Sequence, residues 1–169
     1  MITINEIEKE EMKNPENIAR GKKSRRDGKQ FEKNVRIDLE SKGWIVDRWS
    51  NNLVPVQSSN QLEWEGGLKM EASKHKFRGC GIPMALGTGF PDYIAFKLSE
   101  EAKEIISILH YSYEIIGVEV KSNGKLSKEE KMKLQWYLDN KVFSEILIAE
   151  KDINNRGCVI YKKYNGIHN

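Results

Sequence analysis

Two short segments of the chain carry residue types suited to phosphate chemistry. Gly89-Phe90-Pro91-Asp92 opens one apolar run, and Gly117-Val118-Glu119-Val120-Lys121 closes another. Side chains alternate between the faces of a strand, so Glu119 and Lys121 point to one side and the valines to the other. Carboxylates such as Asp92 and Glu119 are ligands for Mg²⁺ or Mn²⁺, which assist phosphodiester hydrolysis. A neighbouring lysine can orient the attacking water or stabilise developing negative charge.

The competing interpretation is that these charges are solvated positions at strand ends. An isolated Glu-x-Lys occurs often by chance. Here, however, the Pro-Asp pair begins an apolar strand over residues 91–96, and residues 115–118 have the pattern of a strand buried on both faces. A carboxylate that ends a buried strand is costly unless a cation accompanies it. The combination therefore favours a metal site.

A helix is expected ahead of these strands. Phe31, Val35 and Leu39 recur at intervals of four and form an apolar stripe, and Gly43 stands where a helix would end. Glu32 lies next to that stripe rather than opposite it. The helix would therefore carry this carboxylate near the sheet.

The remaining elements complete the expected layout. Ser127 and Glu130 form a capping box, which marks the start of a helix over residues 126–136. Strands are expected over residues 44–49 and 145–149. The order of helix, three strands, helix and strand predicts an α/β sandwich around a mixed β-sheet flanked by helices. Residues 98–113 remain undecided between helix and hairpin.

In this order of elements, residues 28–148 resemble the PD-(D/E)xK nuclease superfamily and its restriction-endonuclease-like fold. The resemblance is narrower to virus-type replication-repair nucleases and archaeal Holliday-junction resolvases. It rests on Gly-x-Pro-Asp followed by Glu-Val-Lys-Ser, then Leu-Ser and a later glutamine. The resemblance implies a Mg²⁺- or Mn²⁺-dependent endonuclease that acts on DNA, with branched DNA as leading substrate. Symmetric cutting of a junction would require a homodimer.

The resemblance also implies roles for individual residues at the centre of the site. Asp92 and Glu119 would bind the metal, and the backbone carbonyl of Val120 would be a further ligand. Lys121 would act on the nucleophilic water. These four positions match the superfamily motif residue by residue.

Two helical residues enter the site through the resemblance. Glu32 matches a first-helix glutamate that contacts the metal directly or through water. Gln135 matches a glutamine that supports the site or the scissile phosphate. Without the resemblance, a glutamate or glutamine on an amphipathic helix is more often a solvated position.

Charge is unevenly distributed along a chain whose net charge is only +3. Residues 1–12 are acidic and residues 20–29 strongly basic. Such a block is often a flexible, solvated arm, but its position before Glu32 favours contact with a phosphate backbone. We expect an N-terminal arm over residues 1–27, a nuclease domain over 28–169 and an insertion at about 50–88. The candidate nucleic-acid contacts are Arg20, Lys22, Lys23, Arg25, Arg26, Lys29, Lys74, Lys76, Arg78 and Ser122.

Tryptophans and cysteines add smaller constraints. Trp49 and Trp64 are candidates for base stacking near the insertion, whereas the alternative for Trp44 and Trp49 is that they are core residues. Two cysteines predict free thiols in a reducing compartment, and the sequence pattern predicts neither a signal peptide nor a membrane-spanning segment. A soluble intracellular protein is expected.

Two alternative functions remain open at this point. One keeps the fold but makes the protein a restriction-type or exonucleolytic enzyme, or one that acts on RNA. The other is a nucleic-acid-binding protein without turnover. Two carboxylates that face one lysine argue against the second, since binding alone does not require them.

Overall fold

The computed structural model describes residues 15–56, 67–73, 76–78, 82–85, 89–99 and 112–166. Within these residues lie two helices and nine strands. In chain order they are α1 (Pro15–Ser41), β1 (Ile45–Arg48), β2 (Asn51–Pro55), β3 (Leu68–Ala72), β4 (Lys76–Arg78), β5 (Ile82–Ala85), β6 (Tyr93–Leu98), β7 (Tyr113–Val120), α2 (Lys128–Asp139), β8 (Glu145–Lys151) and β9 (Val159–Lys163).

Five strands form the main sheet in the order β1-β6-β7-β8-β9. Only the β7–β8 pair is parallel, so the sheet is mixed. Parallel neighbours need a crossover connection, and α2 is that connection. One helix packs on each face of the sheet, which confirms the expected α/β class with a mixed sheet between helices.

The first face of the sheet is covered by α1. Phe31, Val35 and Leu39 are all buried there, as their spacing predicted. Ile116 and Val118 of β7 reach the same core. The alternation of β7 therefore sends its other side chains, including that of Glu119, toward α2.

The second face is covered by α2, whose buried residues include Tyr137. Trp49 packs edge-on against the rings of Tyr137 and Phe143, at centroid distances of 6.3 and 5.2 Å. Its indole N–H donates to the Tyr137 hydroxyl over 3.3 Å. Trp49 is thus a core residue rather than a base-stacking surface, whereas Trp64 lies outside the described residues.

Several boundaries differ from the sequence-based expectations. Helix α1 begins at Pro15, so residues 15–27 are helical and the basic block is not a loose arm; residues 1–14 lie outside the described residues. Ile115 is 39% exposed, so residues 115–118 are not buried throughout. The described parts of the insertion form two antiparallel hairpins, β2–β3 and β4–β5. Most of the undecided segment, residues 100–111, lies outside the description.

Candidate metal centre

The two candidate carboxylates come from neighbouring antiparallel strands. Tyr93, at the start of β6, pairs with Val118, near the end of β7. Asp92 and Glu119, one step beyond that pair, therefore stand at the same end of the sheet. The Val120 N–H donates to Asp92 Oδ2 over 2.9 Å. This hydrogen bond fixes one carboxylate directly against the backbone of the strand that carries the other.

The turn before β6 is held closely against the chain that follows β1. The N–H groups of Gly89 and Phe90 donate to the carbonyls of Trp49 and Asn51, over 3.1 and 2.9 Å. A Cβ atom on Gly89 would lie 2.2 Å from the Trp49 carbonyl oxygen. Only glycine allows this approach, which sets the position from which Asp92 enters the site.

Glu119 is the least exposed charged residue described, with 3% of its surface accessible. Its Oε1 atom lies 3.1 Å from Lys121 Nζ. Its Oε2 atom is buried and has no hydrogen-bond partner among the described residues. A buried carboxylate oxygen without a partner is costly. The group must either hold a proton or receive a cation at that oxygen.

Burial raises the pKa values of both carboxyls, and a neighbouring negative charge adds to each increase, that of Asp92 for Glu119 and that of Glu32 for Asp92. For Glu119 the main cause is burial, followed by the charge of Asp92, and Lys121 offsets only part of the increase. Burial also raises the pKa of Asp92, against the opposing hydrogen bond from Val120. A divalent cation would relieve both effects, because it favours the charged form of each carboxyl.

The ammonium group of Lys121 is held between two carboxylates. Its Nζ atom donates to Glu130 Oε1 over 2.6 Å as well as to Glu119. Burial by itself would lower the pKa of Lys121, but Glu130 and Glu119 together raise it, so the group stays charged. An ammonium has three N–H donors. One donor of Lys121 is left to bind a water or a phosphate oxygen.

Glu130 is a component of this site that the sequence presented only as a helix cap. The capping box is confirmed, because the Ser127 N–H donates to Glu130 Oε2 over 2.7 Å and the Glu130 N–H donates to Ser127 Oγ. The second oxygen, Oε1, remains free to accept from Lys121. The sequence shows only that Glu130 follows soon after the Glu-x-Lys strand. Local patterns cannot show that its side chain contacts Lys121.

Lys133 and Asn52 connect α2 to the turn that carries Asp92. Lys133 Nζ donates to Asn52 Oδ1 over 3.2 Å, pairs with Glu129 at 2.8 Å and lies 5.8 Å from the Phe90 ring centroid. Its side chain is only 11% exposed. These contacts hold α2, and therefore Glu130, in place relative to the strand ends.

Glu32 lies beside the site but on the other face of the sheet. Its carboxylate pairs with Arg48 at 3.3 Å, and its backbone carbonyl accepts from the Tyr93 hydroxyl over 3.2 Å. It is near enough for its charge to contribute to the raised pKa of Asp92. The structure thus brings Glu32 to the edge of the carboxylate pair.

The described contacts of Gln135 lie on a different side of α2 from Glu130. Its Nε2 donates to Asp139 Oδ1 over 2.7 Å, and a Cβ on Gly166 would come within 2.9 Å of its Oε1. At 3.6 residues per turn, it is about 140° around α2 from Glu130. Glu130 is therefore the α2 residue seen to contact Lys121, and the expected role of Gln135 stays a prediction.

The candidate nucleic-acid contacts fall into three groups. Ser122 is exposed in the turn directly after the Glu-x-Lys strand. Lys76 and Arg78 are on β4, and Lys74 lies outside the described residues. The remaining candidates are exposed along the N-terminal half of α1: Arg20, Lys22, Lys23, Arg25, Arg26 and Lys29.

The carboxylate pair fits a hard cation that keeps part of its water shell. Among the described residues, no cluster of three or more His, Cys, Asp or Glu side chains is arranged to hold a metal. Mg²⁺ is usually bound by one or two carboxylates together with waters and substrate phosphates. The unpartnered oxygen of Glu119 and the adjacent Asp92 meet that requirement.

Comparison of the chain with protein-family models, curated proteins and solved structures yields no match in any of the three. In the described part of the chain, neither helix has the length and apolar character needed to cross a membrane. The chemistry of the site therefore has to be inferred from its own residues.

Proposed function

We propose that this protein is a divalent-metal-dependent nuclease of the PD-(D/E)xK type that hydrolyses DNA phosphodiester bonds with Mg²⁺ or Mn²⁺. The observation that carries the proposal is the buried, unpartnered Oε2 atom of Glu119 beside Asp92 and Lys121. A protein that only bound nucleic acid would gain nothing from burying this oxygen. The resemblance to the superfamily supports the same assignment.

Asp92 and Glu119 would hold the cation, with the Val120 backbone carbonyl as the further ligand that the resemblance implies. When bound, the cation supplies positive charge to the phosphoryl oxygens and lowers the pKa of a bound water. Lys121 keeps its proton and uses its third N–H to orient the water or the phosphate. Glu130 accepts a hydrogen bond from another N–H of the same ammonium group, and this bond fixes the direction in which the third N–H points.

The product chemistry and the substrate class follow from the resemblance. Cleavage leaves 5′-phosphate and 3′-hydroxyl ends, and branched DNA such as a four-way junction is the substrate we favour. A homodimer would place two sites on one junction. The exposed cations of α1, which precede Glu32 on the same helix, support a polyanionic substrate.

A cleavage assay tests the proposal. End-labelled four-way junction, splayed-arm, single-stranded and duplex DNA, and RNA, are incubated with Mg²⁺, Mn²⁺ or EDTA. Asp92→Asn is compared with Asp47→Asn, which changes an exposed carboxylate on β1 that caps only the next backbone N–H, at 2.7 Å. We expect metal-dependent cutting that Asp92→Asn abolishes and the control retains.

Other outcomes separate the remaining functions. Paired symmetric nicks confined to the junction would establish a resolvase, whereas cutting of linear duplexes would indicate a restriction-type enzyme. Preferential cutting of RNA would change the substrate class. Binding without cutting in either metal would refute the nuclease and leave a nucleic-acid-binding protein. Equal cutting by Asp92→Asn would show that the site is wrongly assigned.

A further inference from the structure

A second charged concavity lies on the opposite face of the sheet from the carboxylate pair. It is an open cleft of about 580 Å³ between α1 and the connection from β8 to β9, and we call it the basic cleft. Phe31 and Gln30 of α1 form part of its wall. Its charged lining residues are Lys23, Asp27, Lys151, Asp152 and Arg156.

Ion pairs with the described residues do not neutralise the cations of the basic cleft. Within the described part of the chain, Lys23, Lys151 and Arg156 form no salt bridge. Lys151 instead lies over the Phe31 ring, with Nζ 5.4 Å from the centroid. The two other lysines of the same hairpin are both paired, Lys162 with Glu150 and Lys163 with Glu145. Unpaired cations that converge on a concave surface favour an anionic ligand.

The turn that presents Arg156 is held by local hydrogen bonds. The Asp152 carboxylate accepts from the Asn154 N–H and from Asn155 Nδ2, each over 2.8 Å. The Asp152 N–H donates to the Cys158 carbonyl over 3.1 Å. Both oxygens of Asp152 are therefore engaged within the turn. The turn is ordered before a ligand arrives, which reduces the entropy lost on binding.

The basic cleft and the carboxylate pair open at the same end of the sheet. Val120, the last residue of β7, pairs with Ala149, and Lys151 ends β8 two residues later. From strand geometry, the Cα atoms of Val120 and Lys151 are about 8 Å apart. Lys151 contacts the α1 side, whereas Glu119 faces α2. One extended ligand that passes this end of the sheet would reach both.

We propose that the basic cleft binds backbone phosphates of a nucleic acid, outside the bond that is cut. The inference rests on the proposed function in taking DNA as the ligand. Contacts of this type position a protein on its substrate without reading sequence. Lys23, Lys151 and Arg156 supply the positive charge, and the cleft extends the cationic surface of α1 to the β8–β9 turn.

Binding of a fluorescein-labelled DNA duplex in EDTA tests this proposal without requiring cleavage. Affinity is measured by anisotropy over a series of salt concentrations for the wild type, Lys23→Ala, Arg156→Ala and the double variant. Each phosphate contact contributes about 0.9 to the slope of log affinity against log salt. We expect the slope to fall by about 0.9 for each single variant and by about 1.8 for the double variant.

Two control variants distinguish a local effect from a general loss of charge. Lys163→Ala removes one positive charge from β9 at the other end of the sheet, where Lys163 pairs with Leu147 of β8, and should leave the slope unchanged. Arg156→Lys keeps the charge and should retain most of the affinity. Equal effects of Lys163→Ala and Arg156→Ala would overturn the proposal, as would wild-type protein that does not bind.

Two further arms identify the ligand and separate this proposal from the nuclease assignment. Inorganic phosphate at matched ionic strength should displace the duplex no better than chloride does; stronger displacement would assign the cleft to a small phosphate ligand and refute backbone binding. Asp92→Asn should keep the dependence of binding on Lys23 and Arg156, because it changes the carboxylate pair and not the basic cleft. Cleft-dependent binding without cutting in Mg²⁺ would refute the nuclease while this inference stood.

Discussion

Replacing Glu119 with glutamine is expected to stabilise the metal-free protein at alkaline pH. Burial and the Asp92 charge raise the pKa of Glu119 from its ordinary 4.5 to about 8. The folded protein therefore holds a proton that the unfolded chain releases between these pH values. Because the folded state binds more protons in that window, the free energy of unfolding falls as the pH rises through it. Glutamine resembles the protonated side chain and avoids this loss.

The size of the effect follows from the same pKa values. A difference of about 3.5 between them, at about 1.4 kcal/mol for each pKa unit, sets an upper limit of about 5 kcal/mol. Relaxation of the buried site and water penetration reduce this figure, so we expect about 2–4 kcal/mol at pH 9. At about pH 4 the two proteins should differ little. Burial raises the pKa of Asp92 to about 6. In both proteins the free energy of unfolding should therefore also fall, by a smaller amount, as the pH rises toward that value.

Urea unfolding in EDTA, monitored by tryptophan fluorescence, measures this difference in stability across the pH range. Glu145→Gln is the matched control, because it removes a half-exposed carboxylate that pairs with Lys163 at the other end of β8. Addition of Mg²⁺ at one hundred times its Kd should remove most of this difference in stability. Wild type gains about 2.7 kcal/mol at a metal concentration of one hundred times Kd, and Glu119→Gln gains much less.

Destabilisation of the metal-free protein by Glu119→Gln at alkaline pH would contradict a raised pKa for Glu119. A difference between the two proteins that did not change with pH would contradict it as well. In either case the unpartnered oxygen of Glu119 would not carry the cost assigned to it. Equal stabilisation of both proteins by Mg²⁺ would place the metal elsewhere.

Three further substitutions test other parts of the site. Lys121→Met should lower the cleavage rate by about 100-fold or more while weakening duplex binding in EDTA by no more than the loss of one phosphate contact. Lys125→Met, at an exposed loop position, should leave cleavage intact; equal losses of cleavage would refute a specific role for the Lys121 ammonium. Gly89→Ala should destabilise the fold by about 2–4 kcal/mol in urea unfolding, because its Cβ would lie 2.2 Å from a backbone carbonyl oxygen. Gly28→Ala, which meets nothing within 4 Å in α1, should instead stabilise by up to about 1 kcal/mol. Gln135→Ala should change the cleavage rate less than about twofold, because the Gln135 amide donates to Asp139. A cleavage rate reduced tenfold or more would show that Gln135 acts in the site.

Features that depend on neighbouring residues in the chain could be predicted well. The stripe of Phe31, Val35 and Leu39 is buried, and Ser127 begins α2 through its capping box with Glu130. These results depend on helical periodicity and on backbone N–H groups that must find local partners. The start of α1 was predicted too late, because residues 15–27 are mostly exposed and carry no apolar stripe.

Features that depend on the pairing of distant segments could not be predicted in the same way. Gln135 and Glu130 both occur on α2, and only the packing of the helix decides that Glu130 reaches Lys121. The position of Trp49 in the core likewise depends on Tyr137 and Phe143, which are remote in sequence. Motif spacing specifies which residue types are present but not which face of a helix meets the sheet.

By itself, the sequence determined that the side chains of Glu119 and Lys121 lie on one face of the extended chain. It also determined that a carboxylate, Asp92, stands directly before another apolar strand. Alternation in an extended chain is a local property that requires no partner. Tertiary structure alone decided that the Val120 N–H would hold Asp92, that an oxygen of Glu119 would be buried without a partner, and that Glu130 would hold Lys121. These properties depend on strand register and on the exclusion of water, which arise only when distant segments pack together.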